Sequence, residues 1–183
     1  MPDTQMSDAT IAITSEAPTP GRPQFAPGYG VDPLATEGML PWSELVSRME
    51  GARNYWVCTT RPDGRPHAAP VWGLWFEDAF VFSTGADSRK GRNLAANPEI
   101  VVHLESGDDV VILEGTVEII PVAAADSSWL ERYADVYGAK YNLKMDFAAM
   151  GANMSAALYR LHPRTAFAWL ESSFPTTATR FTL

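Results

Sequence analysis

The middle of the chain alternates short apolar segments with tight turns, and this alternation restricts the possible folds more than any other feature. Three segments rich in aromatic and β-branched residues are Asn54–Thr60, Pro66–Phe76 and Ala79–Thr84. RPDGR at residues 61–65 separates the first two, and its Asp63-Gly64 pair accommodates the positive φ of a hairpin turn. Glu77-Asp78 forms the next turn. Connections this short join antiparallel neighbours, so we expect a sheet built from hairpins.

Further strands and a few helices complete the pattern. The later strands are expected at Glu99–Glu105, Val110–Ile120, Ala156–Leu161 and Thr165–Leu170. Helices are predicted from Pro41 to Gly51, at Ser88–Ala96 with Asp87 as its N-cap, at Pro121–Tyr137, and in a short piece near Asp146–Met150. Six to seven strands dominate, and only one helix interrupts the middle ones. The sequence therefore predicts a mainly β fold with flanking helices (α+β), a small barrel rather than a doubly wound sheet.

The first 38 residues differ in character from the rest. Proline, threonine, serine and glycine are frequent there, and hydrophobic periodicity is weak. We expect residues 1–38 to be an extended or disordered arm and residues 39–183 to be one domain. The arm is either an untethered tail or folds, around Phe25 to Tyr29, over a neighbouring subunit or a ligand.

Composition excludes several classes of function. The net charge of −8 argues against general binding to nucleic acids or anionic membranes. No apolar run approaches the roughly 18 residues of a membrane span, and no secretory signal is evident, so a cytoplasmic location is expected. The single cysteine, Cys58, permits no intrachain disulfide and no CxxC metal site. The three histidines show no metal-binding spacing, so no metal is expected.

Residues 82–98, FSTGADSRKGRNLAANP, contain an unusual concentration of positive charge. Arg89, Lys90 and Arg92 fall in the first turn of the predicted helix, after the hydroxyls of Ser83, Thr84 and Ser88. Helix N-termini already attract anions through free N–H groups and the helix dipole, and cations usually avoid them. The segment is either an ordinary solvated helix face or a phosphate or carboxylate site, and its position after a strand favours the site. It matches neither GxxxxGK[ST] nor GxGxxG.

The segment APVWGLWF at residues 69–76 is the second candidate. Pro70 cannot donate to a strand ladder, which predicts an edge or a bulge, and Gly73 permits close approach of the backbone. Trp72 and Trp75 would point to opposite faces of an unbroken strand. Either both pack internally, or one faces a flat ligand that rests against the backbone at Val71–Gly73.

No catalytic residues can be named from the sequence. A GxSxG elbow is absent, and no acid–base pair stands out. This is compatible with an enzyme whose cofactor supplies the chemistry and whose protein part supplies orientation.

Together, the segments NYWVCTTRPDGRPHAAPVWG, FVFSTGADSRKGRNLAANPEIVVHLESGDD and VVILEGTVEII resemble the pyridoxamine 5′-phosphate oxidase-like superfamily, and most closely its flavin/deazaflavin oxidoreductase branch. The resemblance covers residues 41–120 well, and RTAFAWL and TATRF continue it more weakly. It implies an FMN-binding type of split β-barrel and a homodimer with two cofactor sites at the subunit interface.

The resemblance also implies residue roles. The phosphate or acidic tail of the cofactor is expected at Ser83, Thr84, Ser88, Arg89, Lys90 and Arg92, and its ring system at Val71, Trp72 and Gly73. Trp169 is expected to approach the ring from the partner subunit.

Two departures narrow the expected activity. Pyridoxamine phosphate oxidases carry basic residues where this chain has Ala69 and Leu74, and their Arg-Leu-x-Pro signature is missing from the end, since the RLHP at Arg160–Pro163 comes too early to match it. The resemblance therefore implies an oxidoreductase that passes hydride between the deazaflavin coenzyme F-420, or FMN, and a small organic substrate. The alternative is a non-catalytic protein that binds or carries a flavin, a deazaflavin or haem. The polyglutamyl tail of F-420 suits the pair Lys90 and Arg92 and favours this coenzyme slightly.

Overall fold

The computed structural model describes residues 17–144 and 156–183, so the short helix expected near Asp146–Met150 lies outside the described residues. The helices are α1 Trp42–Gly51, α2 Arg89–Ala96, α3 Ser127–Tyr141 and α4 Phe174–Thr177. The strands are β1 Pro20–Gly21, β2 Tyr55–Thr60, β3 Pro66–Val71, β4 Gly73–Phe76, β5 Ala79–Gly85, β6 Glu99–His103, β7 Asp109–Pro121, β8 Ala156–Leu170 and β9 Thr179–Thr182. No helix in the described ranges is long and apolar enough to span a membrane.

All strand pairs are antiparallel. The main path runs β1-β9-β8-β7-β6-β2-β3, while β8 also pairs with β5 and β5 with β4. In the described part of the chain no ladder joins β3 to β4, so the sheet is not closed and β3 is an edge strand. This confirms the mainly β fold with flanking helices and the edge position that Pro70 predicted.

The single strand expected at Pro66–Phe76 is wrong, because the chain breaks at Trp72. Before the break, Val71 pairs with Tyr55 of β2, and after it Gly73 pairs with Phe82 of β5. A Cβ at Gly73 would lie 2.6 Å from the Phe80 ring, so only glycine allows β4 to approach β5 here. The chain thus changes partner strand within one residue.

The two late strands expected on either side of His162–Arg164 are in fact one strand, β8. It pairs with β7 from Ala157 to Leu170, and the register shifts between Glu114 and Gly115, where Gly115 faces Pro163. Proline normally ends a ladder because it lacks an N–H, but here the next residue of β8, Arg164, has no partner in β7, and this irregularity accommodates the proline.

Helix starts also differ from expectation. The N-cap of α2 is Ser88 rather than Asp87, because Ser88 Oγ accepts a 3.0 Å hydrogen bond from the Gly91 amide. The α3 helix begins at Ser127 rather than Pro121, behind a short 3₁₀ turn at Val122–Ala124. It also runs on to Tyr141, four residues beyond the predicted end.

The described part of the N-terminal arm lies against the C-terminal segment of the same chain. Pro20 and Gly21 pair with Phe181 and Arg180 of β9. The Arg22 guanidinium donates to four carbonyl oxygens at 2.5–2.9 Å, those of Ala35, Glu37, Thr176 and Ala178. The division between arm and domain at residue 38 stays a prediction.

Two hydrophobic clusters stabilise the fold. The first fills the sheet interior, where the rings of Tyr55, Phe80, Phe82 and Tyr159 are all at most 1% exposed. The second packs Leu74 and Val81 against α3. Because β4 and β5 are the strands that α3 covers, this second cluster sets the helix beside the break at Trp72.

Replacing Gly115 with alanine should destabilise the protein by about 2 kcal/mol, the middle of the range for an overpacked core site. An added Cβ would collide with the His162 carbonyl oxygen and come within 2.9 Å of the Pro163 Cα, so the β7–β8 ladder would have to shift. Urea unfolding of G115A measures this. Gly107→Ala is the matched control, since a Cβ there meets nothing within 4 Å. Equal stability of the two variants would contradict this account of the irregularity.

Candidate functional site

The turn from β5 into α2 is held by its own hydroxyl groups. Thr84 Oγ1 and Ser88 Oγ are 3.1 Å apart, and the Ser88 amide donates to the Gly85 carbonyl at 3.0 Å. A side chain at Gly91 would collide with the Gly85 carbonyl oxygen, so this close turn requires glycine. The arrangement fixes the first turn of α2, with Arg89 and Lys90 on it.

Four cationic or titratable side chains gather beside this turn, and we name them the basic cluster: Arg61, His67, Arg89 and Lys90. Partial burial lowers the pKa of His67, and three nearby positive charges lower it further, those of Arg61, Lys90 and Arg89. Asp63 is the nearby carboxylate, but it pairs with Arg65 at 2.6 Å. That hydrogen bond is the main cause of the lowered pKa of Asp63, with smaller contributions from Arg61 and Arg89.

Two polar atoms of the basic cluster are buried without a partner. In the described part of the chain, Arg61 Nε and His67 Nδ1 make no hydrogen bond. A buried polar group left unsatisfied costs about 1–3 kcal/mol. An anion placed among these side chains would relieve the cost and the mutual repulsion of the charges at once.

The break between β3 and β4 is held by a tyrosine from α3. The Tyr141 hydroxyl bonds both to the Gly73 amide at 3.0 Å and to the Gly73 carbonyl oxygen at 2.9 Å. It also lies 2.8 Å from the carbonyl oxygen of Arg53. The Trp72 indole stacks on the Tyr141 ring at 4.7 Å and remains 40% exposed, whereas Trp75 is buried in the core.

Strand β3 runs from the basic cluster to the break at Trp72. Its first residues lie beside the basic cluster and its last residue, Val71, adjoins the break at Trp72. Five residue steps separate Pro66 from Val71, which is about 17 Å of extended chain. An elongated molecule lying along this edge would reach both ends.

Nine of the ten residues expected at the cofactor site lie at these two places. Val71, Trp72 and Gly73 are at the break, Ser83 and Thr84 end β5, and Ser88, Arg89, Lys90 and Arg92 start α2. Arg92 turns back to donate to the Asp87 carbonyl.

Trp169 is not brought to this site within one chain. Strands β7, β6 and β2 lie between β8 and β3 in the sheet, and these four strand spacings amount to about 19 Å. The Trp169 ring packs instead against Phe174 and Phe25, with centroids 5.7 and 6.5 Å away.

Several neighbours of the site were not expected from sequence: Arg53, Arg61, His67 and Tyr141. Arg61 is the first residue of the RPDGR turn, and His67 follows the turn in β3, where it pairs with Thr59; their positions on one hairpin were a signal that could have placed them near each other. Tyr141 offered no such signal, because its contact spans 68 residues. Leu74, one of the two positions expected to depart from the family pattern, is 2% exposed in the second hydrophobic cluster.

Known structures share this architecture. A conserved hypothetical protein of Mycobacterium tuberculosis superposes with a TM-score of 0.61 at 23% identity, over 75% of this chain and 89% of that chain. An F-420 reductase gives 0.52 at 21% identity, over 66% and 93%. The haem storage protein of Vibrio cholerae gives 0.51 at 15% identity, over 66% and 86%. These likenesses confirm the split-barrel fold.

Sequence relatives point to one family. The pyridoxine/pyridoxamine 5′-phosphate oxidase of Sphingopyxis alaskensis is 39% identical over 107 residues, which are 57% of this chain and 50% of that protein. Its counterpart in Gluconobacter oxydans is 38% identical over 79 residues, 42% of this chain and 40% of that protein. The chain thus spans half or less of the length of these two relatives. A family model described as pyridoxamine 5′-phosphate oxidase matches residues 42–170, and the chain therefore belongs to the pyridoxamine 5′-phosphate oxidase family.

Proposed function

We propose that this protein binds the deazaflavin coenzyme F-420 in preference to FMN and transfers hydride between it and a small organic substrate. The observation that supports this most is the basic cluster, with its buried and unpartnered Arg61 Nε and His67 Nδ1. Family membership supports a flavin-type cofactor, and the F-420 reductase among the proteins of like fold supports the choice of coenzyme.

The cluster suits an extended anionic tail better than one phosphate. Thr84, Ser88, Arg89 and Lys90 would hold a phosphate at the start of α2, where the helix dipole and amide groups also favour an anion. Arg61 extends the positive surface away from α2, with His67 beside it as a further hydrogen-bonding group, and Arg92 extends it along the helix. FMN ends at its phosphate, whereas the glutamyl carboxylates of F-420 continue beyond it and would meet these groups.

The ring system would lie at the other end of β3. Within the described residues β3 pairs only with β2, so its outer backbone groups are not used by another strand. A ring with alternating donors and acceptors at its edge can bond to such a strand, and the backbone at Val71–Gly73 lies at the right end for it. The Gly73 amide itself is occupied by Tyr141, which leaves Val71 and Trp72 as the ring contacts.

The bound deazaflavin would supply hydride chemistry, a two-electron transfer. The residues of this chain would bind the tail, orient the ring and exclude water from one side of it. Trp72 and Tyr141 form a wall at that place, and α3 fixes them there. A protein that only stores or transports the cofactor would use the same contacts. A hydride-transfer assay distinguishes the two functions, because only the enzyme would turn over a substrate.

A second copy of the chain would complete the site. Since Trp169 is remote from β3 within one chain, it reaches a ring there only from a partner subunit. We therefore include a homodimer in the proposal, with Trp169 as the partner's contribution. Sedimentation velocity measures this state directly.

Replacing Lys90 with alanine should weaken F-420 binding by about 10- to 100-fold, the value of one charge-assisted hydrogen bond. Fluorescence titration of the coenzyme measures the dissociation constant. Arg132→Ala is the matched control, because Arg132 on α3 is also an exposed cation but pairs with Glu77 of the turn between β4 and β5. Unchanged F-420 affinity in K90A, or equal losses in both variants, would contradict the proposed tail site.

Affinity for F-420 should rise as the pH falls from 8 to 6, through His67. Burial and three cations lower the pKa of His67, so the free protein holds it neutral near neutral pH. A bound anion favours the charged ring and raises that pKa, so binding takes up a proton. The measurement is the dissociation constant for F-420 of the His67→Gln variant divided by that of the wild type, determined across this pH range. A ratio that does not increase toward low pH would contradict the role of His67.

A further inference from the structure

Beside the proposed cofactor ring, the exposed side chains of Arg53 and Trp72 lie against the buried ring of Tyr141, and we name these three residues the aromatic step. We propose that the aromatic step binds the substrate, and that the substrate is a planar ring bearing a carboxylate or a similar anionic group. This inference rests on the proposed function, since it takes the reacting ring to lie at Val71–Gly73.

The step is rigid. Tyr141 is 5% exposed, and its hydroxyl bonds to both backbone groups of Gly73. Trp72 stacks on it with the two ring planes only 12° apart. A platform fixed in this way loses little entropy when a second ring stacks on it.

Trp72 has room for a further ring. Its backbone lies where the chain passes from β3 to β4, so no strand of the described part runs beside it on the β3 side. The indole is 40% exposed although one face is stacked on Tyr141. The exposed surface therefore belongs to its other face and its edges, where a flat molecule can stack.

The charge beside the step is positive. The Arg53 guanidinium is 5.3 Å from the Trp72 ring centroid and 5.6 Å from that of Tyr141. No carboxylate of the described residues forms an ion pair with Arg53. A guanidinium presented next to a flat apolar surface is the arrangement that recognises an aromatic carboxylate.

A second cation lies behind the step. Lys140 Nζ is 5.7 Å from the Tyr141 ring centroid, and it donates to Tyr55 Oη at 2.6 Å and to the Glu50 carbonyl oxygen at 3.1 Å. Burial lowers the pKa of Lys140 to about 8, and the Glu50 carboxylate opposes this. At neutral pH Lys140 is therefore mostly charged, and it adds to the positive potential near the step in a protein of net charge −8.

The position of the step adds the functional link. Trp72 lies between Val71 and Gly73, so a molecule stacked on its indole is next to the backbone proposed to hold the ring. The basic cluster is at the far end of β3, about 17 Å away. The two positive regions would thus bind different anions, the cofactor tail at one end and the substrate at the other.

The test uses two probes of the same shape, naphthalene-2-carboxylate and the neutral naphthalene-2-carboxamide, titrated calorimetrically into the full-length protein. The wild type should bind the carboxylate at least tenfold more tightly than the amide. Arg53→Gln should abolish this preference and leave amide binding unchanged. Trp72→Ala should weaken both probes, and Trp72→Phe should restore most of the loss. Arg132→Gln is the control for a lost surface cation.

F-420 affinity is measured for the same variants, so that the two proposals can fail separately. Normal coenzyme binding with no preference for the carboxylate would overturn the aromatic step as a substrate site and leave the proposed function intact. An equal preference in wild type and R53Q would overturn it as well. A carboxylate preference that depends on Arg53, in a protein that binds no F-420, would support the step and overturn the proposed cofactor.

Discussion

The hydroxyl group of Tyr141 fixes the backbone at the point where the chain leaves strand β3 and enters strand β4. By bonding both to the Gly73 amide and to its carbonyl oxygen, it satisfies backbone groups that would otherwise be buried and unpaired. The chain can then exchange β2 for β5 as its partner within one residue. Three features depend on this contact: the open edge of β3, the exposure of Trp72 and the position of α3 against β4.

Charge then distinguishes the two ends of that edge. In a chain with eight more acidic than basic residues, the basic cluster keeps Arg61, His67, Arg89 and Lys90 together, and the nearby carboxylate of Asp63 is paired with Arg65 instead. Such an arrangement is unfavourable to folding, since each unpartnered buried atom costs about 1–3 kcal/mol. A ligand that pairs with these polar groups removes the cost, and the free energy regained contributes to its binding affinity. Unsatisfied polar groups of this kind therefore often mark a binding site.

The sequence predicted those features of the structure that depend only on residues close together in the chain. The RPDGR turn, the charges on the first turn of α2 and the edge position of Pro70 all follow from neighbouring residues, and the structure confirms them. Contacts between distant segments were not predictable in this way. The break at Trp72 depends on Tyr141, 69 positions along the chain, and the continuity of β8 through Pro163 depends on Gly115 in another strand. The family resemblance supplied the barrel topology, which periodicity alone did not determine.

The account's central claim is that a flavin-type cofactor lies along β3, with its tail on the basic cluster and its ring at Val71–Gly73. Hydrogen–deuterium exchange with and without saturating F-420, read by mass spectrometry, tests this most directly. The account predicts slower exchange in peptides that cover residues 66–73 and 83–92, since edge amides and helix N-terminal amides gain partners there. Saturated binding with unchanged exchange in both segments would contradict it.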